Sequence, residues 1–190
     1  MKQTEQTKYE KVWESQEYKK AVSPGRMALK RLPIFQWFKD AKVKSILDCG
    51  CGSGRFLRDL KIKNPSWNVA GIDIAQNAID PRLKDIFIHG ALWEESVYPK
   101  RVDAITCCDV LEHVPESYID TVLAIFRKKA DKCCFLSISL KDDNFGPHLI
   151  EEPLHLTVKS SFWWMKQIEK AGFELDFGLI SKATMDVLLK

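Results

Sequence analysis

The chain has 190 residues, of which 45% are hydrophobic, 11% aromatic and 29% charged, which fits one soluble globular domain with a substantial core and excludes a disordered or collagen-like chain. No window approaches the roughly 18 consecutive apolar residues of a membrane span, and the opening MKQTEQTKYEKVWESQEYKK is too polar for a signal peptide, so a cytoplasmic location without membrane attachment is expected. The net charge of +3 is uneven, because the first 45 residues carry eleven Lys or Arg against five Asp or Glu while the rest carry 18 against 21. A basic segment attracts anionic substrates or nucleic acid. Scattered lysines more commonly form a solvated helix face, so nucleic acid is a possible partner and not the favoured one.

In chain order, residues 1–43 read as an extension of two helical stretches broken at Ser23-Pro24-Gly25, and residues 44–190 as the main domain. The domain opens with a strand at Ser45–Cys49 that runs into glycines, followed by a helix at Arg55–Lys63 stopped by Asn64-Pro65. Asn68–Asp73 is the next strand, followed by a short helix at 75–79 and a third strand at 85–89. Val102–Cys108 is a fourth strand. Glu116–Lys129 is a helix with Ile119, Val122, Leu123 and Phe126 on one stripe. Residues 132–140 form a fifth strand, 159–171 a helix ending at Gly172, and 173–177 with 185–189 a closing pair of strands.

Continuous apolar strands alternating with helices predict an α/β fold, a doubly wound seven-stranded sheet that is mostly parallel and covered on both faces. The connection from Gly178 to Met185 is too short for a parallel crossover. The last strand is therefore expected to run antiparallel, at or near the edge. The six cysteines, Cys49, Cys51, Cys107, Cys108, Cys133 and Cys134, lack C-x-x-C spacing and read as reduced, buried thiols, and no metal is expected.

The strongest local signal is the run from Ile46 to Leu57, ILDCGCGSGRFL. An apolar strand enters a glycine-rich turn and then a helix, an arrangement that lets a ligand approach the backbone at a helix N-terminus. Arg55 stands where a G-x-G-x-x-G dinucleotide fingerprint has its last glycine, and no Gly-Lys-Ser or Gly-Lys-Thr follows, so neither a dinucleotide fingerprint nor a P-loop is present. Taken singly, Gly50, Gly52 and Gly54 describe a tight turn, and Asp73 a strand-end or helix-capping residue.

Together these residues resemble the first motif, D-x-G-x-G-x-G, of the class I S-adenosylmethionine (SAM)-dependent methyltransferases, of the small-molecule, methyltransferase-11/12-like type. The resemblance implies a Rossmann-like sheet with SAM as cofactor. It implies that Asp48 orients the glycine loop or meets the amino acid end of SAM, and that Gly50, Cys51, Gly52 and Gly54 form the loop. Asp73, 25 positions after Asp48, falls where the family places the carboxylate that accepts both ribose hydroxyls, and Ile74 follows it. The segment VDAITCCDVLEHVPES resembles the family's fourth motif, which implies that Asp109 and Val110 line the cofactor and the transferred methyl. After the third strand the family often has an acidic residue beside a glycine. This chain reads His89-Gly90-Ala91-Leu92-Trp93 instead, so adenine recognition is expected from backbone around Ala91 and Leu92, with Trp93 as a stacking wall or a packing residue.

Methyl transfer from a sulfonium is an in-line displacement, so the protein mainly aligns donor and acceptor, and a base is needed only where the acceptor must lose a proton. His113 is the first catalytic candidate, with capping or packing of the loop as its plainer role, and His155 is the second. The long segment 144–157 and the N-terminal extension are expected to shape the acceptor pocket. Tyr9, Trp13 and Tyr18 form an aromatic stripe that reads as a lid over the cleft or as packing against the sheet. Of Trp163 and Trp164, one is expected in the core and the other at its boundary. After Asp109 comes Val-Leu-Glu-His rather than an N-P-P-Y or D-P-P-Y sequence, which disfavours exocyclic base amines. A small-molecule acceptor is favoured, with oxygen ahead of nitrogen or carbon. The alternatives are an RNA or protein methyltransferase that uses the basic N-terminal segment, and a non-catalytic SAM-binding module.

Overall fold

The computed structural model describes residues 2–20 and 23–190. Among the described residues four helices precede the sheet where two stretches are expected: α1 (Lys2–Glu14), α2 (Gln16–Lys20), α3 (Pro24–Arg31) and α4 (Ile34–Asp40). Each additional break has a local cause. Ser15 separates α1 from α2, and its Oγ accepts from the Tyr18 backbone N–H at 3.3 Å, as a capping residue does. Leu32 is extended, at φ −120° and ψ 151°, because Pro33 follows it. The expected break at 23–25 is the start of α3, with Pro24 in its first turn; Ala21 and Val22 lie outside the described residues.

The sheet contains β1 (Ser45–Cys49), β2 (Asn68–Asp73), β3 (Phe87–His89), β4 (Val102–Cys108), β5 (Ala130–Ser139), β6 (Leu175–Ile180) and β7 (Thr184–Leu189). Their order is β3-β2-β1-β4-β5-β7-β6. The first five strands pair in parallel, and β7 is antiparallel to both β5 and β6. The last strand is thus second from the edge, and β6 forms the edge itself. Between the strands lie α5 (Arg55–Lys63), α6 (Glu116–Lys129), α7 (Phe145–Ile150) and α8 (Ser161–Lys170).

Two expectations fail between β2 and β3. Residues 75–79 form turns rather than a helix, because Asp73 Oδ1 accepts from the Ala75 N–H at 2.9 Å and binds the chain back onto the strand end. The third strand is shorter than expected, since a 3-10 helix at Pro81–Ile86, capped by the Asp80 carboxylate, takes its first residues. The segment 144–157 contains the short helix α7.

Alternating strand residues feed two apolar layers. On one face Leu47, Ile105 and Leu136 pack with Ile119, Val122 and Phe126 of α6 and Trp164 of α8. On the other, Ile46, Ala104 and Phe135 pack with Phe56 and Leu60 of α5, Ala28 of α3, and Ile34 and Phe38 of α4. Helices α3 and α4 therefore complete the sheet's cover. The Arg26–Asp59 ion pair at 2.5 Å ties α3 to α5. Trp164 is buried and Trp163 half-buried at the layer's rim. All six cysteines are buried free thiols. Among the described residues no helix is long and apolar enough to cross a membrane.

Candidate functional site

The sheet order reverses direction between β1 and β4, and in open α/β sheets the crevice at such a switch point, past the carboxyl ends of the strands, is where ligands bind. A cavity opens there, lined from below by Asp48, the glycine loop and Asp73, and from above by α1 and α2.

The glycine loop is pulled down onto β2, because the Gly50 and Cys51 N–H groups both donate to the Ile72 carbonyl, at 2.8 and 3.0 Å. Gly52 has φ 51°, and a Cβ there would stand 2.7 Å from Cζ2 of Trp13. Only glycine lets the loop and the aromatic ring of α1 approach this closely. Gly54 also has positive φ but does not line the cavity; it begins α5 against Ile79 and Leu83.

The two carboxylates are held differently. Asp73 Oδ2 accepts from the Gly52 N–H at 2.8 Å and Oδ1 from the Ala75 N–H at 2.9 Å, which uses one lone pair on each oxygen and leaves the others for a ligand. Burial raises its pKa, and the Ala75 and Gly52 N–H groups oppose that rise. Asp48 is buried beneath the loop at the cavity floor and accepts from Thr106 Oγ at 2.7 Å. Burial pushes its pKa up to about 7 against that hydrogen bond.

At the far side of β2 the wall is Ile74, Ala91, Leu92 and Trp93. The Leu92 carbonyl accepts from Tyr98 Oη at 2.8 Å, and Trp93 stacks on Tyr118 with centroids 4.7 Å apart and planes at 13°. Past β4, Asp109 is in the left-handed region at φ 59°, a conformation that costs a non-glycine residue free energy and concentrates at functional positions. Its N–H donates to the Ser137 carbonyl at 2.7 Å, and the next residue, Val110, packs over Gly50.

The remaining wall is aromatic and imidazole. Trp13, Tyr18 and Phe145 of α7 form an edge-to-face chain with centroid separations of 5.1 and 5.6 Å. The Arg55 guanidinium donates to the Lys19 carbonyl, which fastens α2 to the start of α5. Tyr9 Oη lies 2.9 Å from His113 Nδ1 and donates to the Leu154 carbonyl at 3.2 Å. The rings of His113 and His155 meet at 4.6 Å and 83°. His113 is pushed down to about pH 4, first by burial and then by its neighbour His155, against the charge of Asp109.

His155 is brought here by two clamps. The Glu112 carbonyl accepts from the N–H groups of Leu156 and Thr157, both at 2.8 Å, and Asp143 Oδ2 accepts from Leu154 and His155 N–H, at 2.7 and 3.1 Å. Asp143 and Glu5 line the cavity and were missed by sequence reasoning, and Phe145 lines it from within the segment 144–157 expected to shape the pocket. Glu5 stands four residues before Tyr9 on the same helix face, and Asp143 begins an Asp-Asn-x-Gly turn, so each had a legible signal. Of the sequence candidates, all except Gly54 line this one cavity.

The family model for the methyltransferase domain matches residues 21–176. The chain is similar to the ubiquinone biosynthesis O-methyltransferase of Neisseria meningitidis, 27% identical over 154 residues covering 74% of this chain and 64% of that one. It is similar over a shorter stretch to the tRNA (guanine-N(7)-)-methyltransferase of Prochlorococcus marinus, 43% identical over 47 residues, covering 25% of this chain and 22% of that protein. The chain thus spans less than two thirds of the length of these curated relatives. In structure it resembles the magnesium protoporphyrin IX methyltransferase of Synechocystis, solved with bound SAH, with a TM-score of 0.61 and 15% identity covering 83% of this chain and 80% of the other. The sheet order, the glycine loop and the match across most of its length agree: the chain belongs to the methyltransferase domain family, on the class I fold of the SAM-dependent enzymes.

Proposed function

We propose that this chain transfers a methyl group from SAM to a small-molecule acceptor, to oxygen ahead of nitrogen or carbon. The observation that carries the reading is a single cavity with two chemically distinct ends, the Asp73 carboxylate at one and the Tyr9, His113 and His155 group at the other. The first end suits SAM: a buried carboxylate with a free lone pair on each oxygen matches two vicinal hydroxyls, and the positive-φ glycine loop beside it lines the same cavity. The flat wall of Trp93, backed by Tyr118, offers a stacking surface for a base.

When bound, SAM supplies an electrophilic methyl carried on a sulfonium. The chain's part is to bind, align and exclude water. Asp73 fixes the cofactor end, and Asp109 and Val110 border the space between the two ends. Tyr9 roofs the acceptor end, Trp13 with Tyr18 continues that lid over the glycine loop, and the imidazoles are the groups placed to meet an acceptor hydroxyl. The similarity to an O-methyltransferase across 74% of the chain supports oxygen as the receiving atom. The roofed position of the acceptor end favours a small molecule over a polymer.

Two measurements test this reading. Calorimetry with SAM is expected to show one site in the wild-type protein and a loss of affinity of at least about tenfold in Asp73→Ala, since a charge-assisted pair of hydrogen bonds is worth more than about 1.4 kcal/mol; equal affinity overturns the cofactor assignment. A radiolabelled methyl-transfer screen against fractionated small-molecule, RNA and protein pools should place label in the small-molecule fraction. Label confined to RNA or protein replaces the acceptor assignment, and the local similarity to a tRNA enzyme makes the RNA pool the necessary comparison.

A further inference from the structure

We propose that Glu112, His113 and His155 form a divalent-cation site at the acceptor end of the cavity. One ligand atom from each of the three lies within 4.8 Å of the others. Two donors at ~2.1 Å from a shared ion span at most ~4.2 Å, so small side-chain rotations bring the set onto one ion. No compact sequence spacing announces the site, because the Glu112 carbonyl delivers His155 by holding the N–H groups of Leu156 and Thr157. The expectation of no metal came from cysteine spacing, which these donors do not involve.

The hydrogen bonds fix both imidazoles in the form a cation requires. His155 Nδ1 faces the Lys141 carbonyl at 2.5 Å. A carbonyl only accepts, so Nδ1 carries the proton and Nε2 keeps its lone pair. At His113, Tyr9 Oη has one proton to give. Both of its contacts are satisfied only when it donates to Leu154 and accepts from His113 Nδ1–H, which again leaves Nε2 with its lone pair. Two neutral imidazoles, each with its other nitrogen bound to an oxygen, are oriented as metal-ligating histidines are.

The carboxylate supplies an independent observation. Glu112 is fully buried, its Oε1 accepts from the Ser139 N–H at 2.5 Å, and its Oε2 meets no donor among the described residues while burial and the neighbouring Asp109 carboxylate push its pKa up. A buried carboxylate oxygen left unpaired is costly, and a bound cation removes that cost. Asp109 and Asp143 line the same cavity and add negative charge around the site. Two imidazoles with one carboxylate suit a first-row divalent ion such as Mn²⁺, Fe²⁺ or Zn²⁺ better than Ca²⁺ or Mg²⁺, which prefer all-oxygen sets.

The consequence for transfer rests on the proposed function. An acceptor hydroxyl in an open coordination position would lose its proton to solvent and remain on the ion as an oxyanion, the nucleophile for the methyl group. Cation binding itself needs neither SAM nor an acceptor, so the two readings fail separately.

The full chain, stripped with a chelator and dialysed, is titrated with Mn²⁺ followed by electron paramagnetic resonance, and with Zn²⁺ by calorimetry, in the absence of SAM. One equivalent per chain is expected, with binding lost in His155→Ala and in Glu112→Gln. Tyr9→Phe, which removes only the hydroxyl behind His113, should weaken binding about tenfold to a hundredfold, the usual cost of losing such an orienting partner. Circular dichroism and SAM calorimetry on each variant establish that it folds. No stoichiometric binding by the wild-type protein, or equal affinity in folded His155→Ala, overturns the site.

Discussion

Asp48 and Asp73 stand at the ends of adjacent parallel strands, yet their surroundings give them different tasks. Asp73 is solvated by two backbone N–H groups and faces the cavity, whereas Asp48 has the Thr106 hydroxyl as its partner and a pKa pushed up to about 7 by burial. For an acid whose folded pKa is raised, the stabilising contribution is complete below the unfolded value near 4 and disappears as pH rises through about 7. Asp48 should therefore make the protein progressively less stable between about pH 4 and pH 7, by an amount of order 4 kcal/mol. Asp48→Asn keeps an acceptor for Thr106 and does not titrate. Denaturant melts across that window should show wild type and variant diverging with pH in this direction, and parallel curves would remove the assignment. Gly52 offers a second residue-scale test. An Ala there occupies a left-handed conformation at about 1–2 kcal/mol and presses on Trp13, so Gly52→Ala should melt earlier and shift Trp13 emission to the red. An unshifted spectrum would show that α1 does not rest on the loop. Both residues were visible in the sequence, because a carboxylate and glycines between strand and helix form a dense local pattern. The role of Glu112 was not visible, since its meaning depends on a backbone clamp to residues more than forty positions away.

The four N-terminal helices divide by what they touch. Helices α3 and α4 bury Ala28, Ile34 and Phe38 in the layer beneath the sheet, while α1 and α2 present Tyr9, Trp13 and Tyr18 to the cavity. The family match begins at residue 21, which is also where this division falls. Removing residues 1–20 should then leave the sheet and its two apolar layers folded, as read by circular dichroism, and abolish transfer to whichever acceptor the screen identifies. Unchanged turnover would show that α1 and α2 are not a lid. The aromatic stripe was legible from spacing alone, but its direction was not, because helical periodicity marks an apolar face without saying what that face covers. The expected helix at 75–79 failed for a related reason. Its residues suit a helix, but the Asp73 carboxylate captured the Ala75 N–H first.

At the scale of the whole molecule, the alternation of strands and helices predicted the doubly wound sheet, and the short link between the last two strands predicted the antiparallel β7. The placement of β6 outside β7 was not legible, since both strands are apolar and either order satisfies the short link. The charge asymmetry takes a spatial form: the basic segment is the one that supplies the roof and part of the lower cover, and the acidic remainder supplies the cavity floor. The six buried cysteines give this architecture a kinetic readout. They lie on β1, β4 and β5 or in the loop that follows β1, at the centre of the sheet, and burial raises every thiol, Cys133 to about 11 and the others well above their usual value. A thiol reagent should find Cys49, Cys107, Cys133 and Cys134 closed until the sheet comes apart, and should then modify these four with one rate constant, slowed by SAM as it stabilises the folded state, whereas Cys51 and Cys108 line the cavity. Reaction of Cys51 and Cys108 ahead of these four, followed by mass spectrometry and blocked by SAM, would mean that the reagent enters through the cavity rather than through an opened sheet. The central strands thus carry a built-in chemical timer that separates access to the cavity from unfolding of the whole chain.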